Sequence, residues 1–141
     1  VFALGCILEE GEPCDSARAL AQAGPLAAVA FHNLMEKPFP GPLPPELDVL
    51  VSRYREIYEG YQPADARYLT LHRGHLMFLR PEEEPLVGAE LIRNLTFTGT
   101  EAELRERLGE FEEAGYRQWV IQLVPGHEQA IENWARLLFS A

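Results

Sequence analysis

The stretch that decides the fold is NLTFTGTEAELRERLGEFEEAGYRQWVIQLVPGHEQAIENWARLLF, residues 94–139. NLTFTG (94–99) is β-rich and apolar and reads as a strand. Thr100 with Glu103 forms a T-x-x-E capping box, Leu104, Leu108, Phe111 and Ala114 line one helix face, and Gly115 ends that helix. QWVIQLV (118–124) repeats the strand pattern. Pro125-Gly126 turns the chain, and Ile131, Trp134, Ala135 and Leu138 give a closing amphipathic helix. Strand, helix, strand, helix with short connections predicts parallel neighbouring strands joined by right-handed crossovers. Ligands of such sheets gather at the carboxyl ends of the strands, here Thr98 to Thr100 and Val124 to His127.

Working back towards Val1, residues 37–93 hold a proline-rich connection, one clear helix and an irregular stretch. KPFPGPLPPE (37–46) carries five of the 11 prolines and is a stiff, extended connection. Leu47, Leu50, Val51, Tyr54, Ile57 and Tyr58 recur at helical spacing and predict a helix over 46–59. From 64 to 92 no single period holds. Tyr68 to Leu71 can close a short helix, His75 to Leu79 can be extended, Arg80-Pro81 breaks what precedes it, and the EEE run at 82–84 reads as a solvated loop. Residues 1–36 open with an apolar strand over 2–8, as if the chain begins in mid-fold. Asp15 or Ser16 then caps a helix, and Gly24-Pro25 divides the rest into two helices.

The totals agree with one globular α/β domain. The chain has 141 residues and a net charge of −10, from 22 acidic against 12 basic side chains. That charge repels a phosphate backbone, so nucleic acid is not an expected partner. No apolar run reaches the ~18 residues of a membrane span. Cys6 and Cys14 lie outside any zinc-type spacing and read as two free buried thiols of a cytoplasmic protein.

In HRGHLMFLR (72–80), His72 and His75 stand three residues apart. They would share a face on a helix, but Gly74 disfavours one, and on a strand they would point to opposite faces, so no metal is assigned. An acid/base role suits imidazoles that titrate near neutrality, and Arg73 or Arg80 is available to offset an anion. His32 is expected at the rim of its helix's packed face. His127, at the start of the final helix, follows the last strand where a helix N-terminus favours an anion. Trp119 and Trp134 read as core.

The ordered pieces GEPCDSARALAQAGPLAAVAFHNLME, HRGHLMFLRPEEE, ELIRNLTFTGTEAEL and EEAGYRQWVIQLVPG resemble the C-terminal portion of the bacterial luciferase-like monooxygenases. The resemblance implies a (β/α)8 barrel that binds FMN or a 5-deazaflavin at the carboxyl ends of its strands and oxidises or reduces a small organic substrate. A complete barrel needs more than about 200 residues and eight strands, so the chain maps to about the last three strand-helix units. Residues 1–36 give a strand with helices, 37–93 the insertion and 94–141 two βα units. The resemblance makes His75 and His72 the candidate catalytic residues, with Thr98, Gly99, Gly126 and His127 at the cofactor edge and LMF as the insertion's buried anchor over the barrel mouth. Activity is expected only with the remaining strands supplied. The alternative is a non-catalytic α/β unit that covers its open sheet edges by self-association as a homo-oligomer.

Overall fold

The computed structural model describes residues 1–37 and 39–139; Pro38, within the proline-rich stretch, and residues 140–141 of the last unit lie outside the described residues. Four two-residue strands, β1 (Phe2–Ala3), β2 (Ile7–Leu8), β3 (Gly99–Thr100) and β4 (Val120–Ile121), pair in parallel, β1 with β4 and β2 with β3. The N-terminal segment is thus shared between two partners. Its carbonyls at Val1 and Ala3 accept from Val120 and Gln122, while those at Leu4 and Cys6 accept from Phe97 and Gly99. The expectation that β3 and β4 are neighbours is corrected: each pairs with the first segment and not with the other. Among the described residues the architecture is α/β with six α-helices and short parallel strands, and they form no closed barrel.

Gly5 marks the crossover. A Cβ there would lie 1.8 Å from the Phe97 carbonyl oxygen, so only glycine allows residues 5 and 97 to approach as they do.

Helix α1 runs unbroken over Ala17–Glu36, where two helices were expected. Its N-terminus is held by the Ser16 hydroxyl, which accepts from the Ala19 N–H at 3.1 Å. A proline inside a helix costs ~3 kcal/mol. Here Ala19, Ala23, Ala27, Ala28, Phe31 and Met35 are buried on either side of Pro25, so packing of both halves offsets that cost. Helix α2 (Pro45–Glu59) matches the periodicity and packs on α1, with the Tyr54 ring stacked on Phe31 at 4.9 Å. A short α3 (Tyr68–Leu71), a 3-10 turn over Glu84–Leu86 and α4 (Ala89–Leu95) follow before β3. Residues 94 and 95 therefore end a helix, and the expected strand over 94–99 shrinks to β3. His75 to Leu79 holds no strand: residues 75–77 are turn and 78–79 are irregular.

Helix α5 (Glu101–Glu113) starts on the expected capping box, complete in both directions, and Gly115 follows at φ +94°. Helix α6 (Ala130–Phe139) is rotated from its expected face. Ala130, Trp134 and Leu137 are buried while Ile131 is 60% exposed, because the Trp134 ring packs against Phe97 at 6.1 Å and fixes the rotation.

Two cores result. One joins α1, α2 and the residues around Leu86 to Ile92, and the other joins Ala3, Ile7 and Phe97 to α5 and α6. Cys6 and Cys14 are free and buried, and burial pushes the Cys6 thiol up to about 11.

Candidate functional site

After α3 the chain turns back along α1. His72 follows the helix end, the His75 N–H donates to the His72 carbonyl at 3.1 Å, and Gly74 sits at φ +77°. Leu76 is also left-handed, at φ +60°, a conformation side chains beyond Cβ rarely adopt and one that persists only where surrounding contacts impose it. The returning segment runs antiparallel to α1. His72 Nε2 meets Glu36 Oε1 at 2.7 Å, His75 Nδ1 meets His32 Nδ1 at 3.1 Å, and Leu79 packs where a Cβ on Gly24 would touch it at 3.0 Å. Gly24 is therefore not a helix break. It is the gap in α1 that admits Leu79.

The turn gathers three imidazoles. His72 Nδ1 lies 3.3 Å from His75 Nδ1, and one ring nitrogen from each of His32, His72 and His75 lies within 4.8 Å of the other two. The spacing argument against such a cluster assumed helix or strand for residues 72–75, and the segment is a tight turn. His32 is buried to 3% rather than set at a rim, and it supplies the third ring from α1.

Beneath His32 lies a buried ionic network. Glu83 Oε1 accepts from His32 Nε2 at 2.7 Å, from the Tyr54 hydroxyl at 2.8 Å and from Arg80 Nη2. Arg80 Nη1 donates to the Thr70 carbonyl at 2.7 Å, and its guanidinium stacks 4.9 Å from the Tyr61 ring centre. Arg80 and Glu83 are each 1% exposed. Two expectations are corrected here: residues 82–84 are not all solvated, and Arg80 is committed to an internal carboxylate rather than free for an anion. Burial pushes the Glu83 carboxyl up, but the hydrogen bonds from His32, Arg80 and Tyr54 outweigh it and hold the group at about 2. Burial, and then the neighbouring His32 and His72, lower His75 from its ordinary value. Arg80, not Met77 or Phe78, is the buried anchor of this segment; those two side chains are about half exposed.

Comparison with protein-family models, with curated proteins and with solved structures gave no match. No helix among the described residues is long and apolar enough to cross a membrane.

The remaining candidates divide between two places. Thr98 is 2% exposed, and its hydroxyl accepts from the Cys6 N–H at 3.1 Å and pairs with Thr96 at 2.6 Å, so it ties the segments around β2 and β3 together. Gly99 is buried in β3, where a Cβ would press on Glu103. Gly126 makes the turn after β4 at φ +86°, and α6 starts three residues after His127 rather than at it. His127 and Val124 line an open groove with Met77, Phe78, Leu79 and the first turns of α1, and the His127 Nδ1 atom is buried there without a hydrogen-bond partner. Gln122, just past β4, donates to the Leu76 carbonyl at 2.8 Å and ties the turn to the sheet.

Sequence reasoning missed Glu36 and Glu83 and undervalued His32. The signal present was the i, i+4 spacing of His32 and Glu36, which sets both on one face of α1.

Proposed function

We propose that the chain is the C-terminal part of a luciferase-like oxidoreductase using FMN or a 5-deazaflavin, and that it contributes one wall of the cofactor pocket. One observation carries this reading. Two separate pieces of the resembling pattern, Met77 to Leu79 and Val124 with Pro125, meet beside His127 in a groove just beyond the carboxyl end of β4, the place where parallel sheets bind ligands. His127 is the imidazole of that groove. His72 and His75 lie beside His32, about 16 Å along α1 from Ala21 at 1.5 Å per residue, and neither lines the groove.

Titration of FMN and of a 5-deazaflavin followed by fluorescence tests the proposal. A single wall should bind with a dissociation constant on the order of 10 µM or weaker. His127→Ala should weaken it further while His72→Ala leaves it unchanged. Submicromolar affinity would overturn the single-wall arrangement, and no saturable binding at millimolar cofactor would overturn the cofactor assignment.

The β1–β4 ladder favours a second reading, the self-associating unit. Phe2 and Val120 are cross-strand partners and are 54% and 47% exposed, an apolar pair on an open face. Sedimentation of a monomer at 100 µM would count against it.

A further inference from the structure

We propose that His32, His72 and His75 are the three protein ligands of a divalent transition-metal ion of the zinc class, at a site distinct from the groove beside His127.

The argument begins with hydrogens. His32 Nε2 faces Glu83 and His72 Nε2 faces Glu36, each at 2.7 Å. A carboxylate only accepts, so in the neutral imidazoles both Nε2 atoms carry the hydrogen, and both Nδ1 atoms present lone pairs. Those lone pairs converge on His75 Nδ1, at 3.1 Å from His32 and 3.3 Å from His72. A hydrogen on His75 Nδ1 can point at one of them and leaves the other facing a nitrogen with nothing between. A cation at the centre satisfies all three. Ligand nitrogens at 2.0–2.1 Å from a tetrahedral zinc ion stand about 3.3 Å apart; the two separations from His75 match that spacing, and all three nitrogens lie within 4.8 Å of one another.

The surroundings supply what such a centre requires. Histidine ligands of metals commonly donate their far N–H to a carboxylate, which fixes the tautomer and raises basicity, and two of the three rings here have that partner in place. Glu36, Glu83 and Glu82, whose carboxylate lies 3.6 Å from Arg80, set three negative charges against the single positive charge of Arg80, which leaves two to offset the ion. His32 is buried, whereas the His72 and Glu36 side chains are 37% and 39% exposed, so the cluster opens to water on one side. Three nitrogen donors with an open side match the pattern of zinc sites that keep a fourth position for water or a small ligand. Imidazole donors equally suit cobalt, nickel and copper. Two left-handed residues, Gly74 and Leu76, flank His75 and aim its ring at the other two.

The test uses the full chain without a histidine tag, stripped with a chelator. Calorimetric titration with zinc chloride should show one site, and Co2+ should give the visible absorption bands of a four-coordinate nitrogen-ligated ion. His72→Ala removes a ligand at the exposed side, where folding is not at risk, and should weaken zinc at least 100-fold. Glu36→Gln keeps all ligands and should weaken it 10- to 100-fold, the usual effect of losing an outer carboxylate. Circular dichroism confirms that both variants stay folded. Zinc binding weaker than 100 µM in the wild-type chain, or equal affinity in wild type and His72→Ala, overturns the proposal. Neither readout involves flavin, so failure here leaves the groove reading standing, and the reverse.

Discussion

Glu83→Gln isolates the energetics of the ionic network. The substitution keeps the volume and an acceptor oxygen for His32 and Tyr54 but removes the negative charge opposite Arg80, which is 1% exposed. Breaking a buried ion pair by neutralising one partner costs roughly 3–5 kcal/mol because the other charge stays buried. Arg80 retains the Thr70 carbonyl, the Tyr61 ring and a partly exposed Glu82 carboxylate at 3.6 Å, which places the loss at the lower end, about 3 kcal/mol. For 141 residues the unfolding entropy is about 0.3 kcal/mol per kelvin, so the melting temperature should fall by about 10 °C. Urea denaturation followed by circular dichroism, with chelator present so that no metal adds to stability, measures it. The double variant Arg80→Met/Glu83→Gln should recover more than about 1.5 kcal/mol relative to the sum of the singles, since it removes the orphaned charge. A loss under 1 kcal/mol for Glu83→Gln, or additivity in the cycle, would show that water reaches the pair and that the reasoning is wrong.

Two other perturbations probe the frame around the site. Gly5→Ala should lose about 3 kcal/mol or more, because its Cβ meets the Phe97 backbone at 1.8 Å with no flexible atom to yield; a urea midpoint within 0.3 M of wild type would contradict the crossover geometry. Glu12 receives hydrogen bonds from Arg18 and Ser16, and Arg18 first of all holds its carboxyl down at about 2 from an ordinary 4.5. A folded-state value below the unfolded one means that the stabilisation is complete above pH 4.5 and disappears as pH falls towards 2. The stability difference between wild type and Glu12→Gln should therefore close between pH 5 and pH 2, and a gap constant across that range would refute the assignment.

What the sequence made legible was local. The α2 periodicity, the Thr100–Glu103 box and Gly115 all depend on neighbours a few residues away, and each stands in the structure. What it hid depended on distant partners. Gly24-Pro25 carries the local signature of a break, but the energy that keeps α1 whole comes from Phe31 against Tyr54 and from Leu79 filling the space over Gly24. Strand 2–8 read as one element because nothing within it reveals that its halves pair with segments 118 and 92 residues onward, Phe2 with Val120 and Ile7 with Gly99.

The histidine cluster follows the same rule with one addition. His72 and His75 were visible as a pair, and the inference against shared coordination was sound for regular structure. It did not cover the turn found here, in which Gly74 and Leu76 take the left-handed conformations that fold the pair onto one side. Glycine at 74 was legible as a helix breaker. That it is required as a turn follows from its φ of +77°, with the Phe78 ring 2.3 Å from where a Cβ would stand. Unbroken α1 carries His32 and Glu36 to the turn, Leu79 in the Gly24 gap holds the turn against the helix, and Arg80–Glu83 locks the far side. The feature that looked like a helix break in the sequence is thus the contact on which the three-histidine geometry depends. Gly24→Leu should separate the segment from α1 and abolish the cluster while leaving α5 and α6 packed around Trp134.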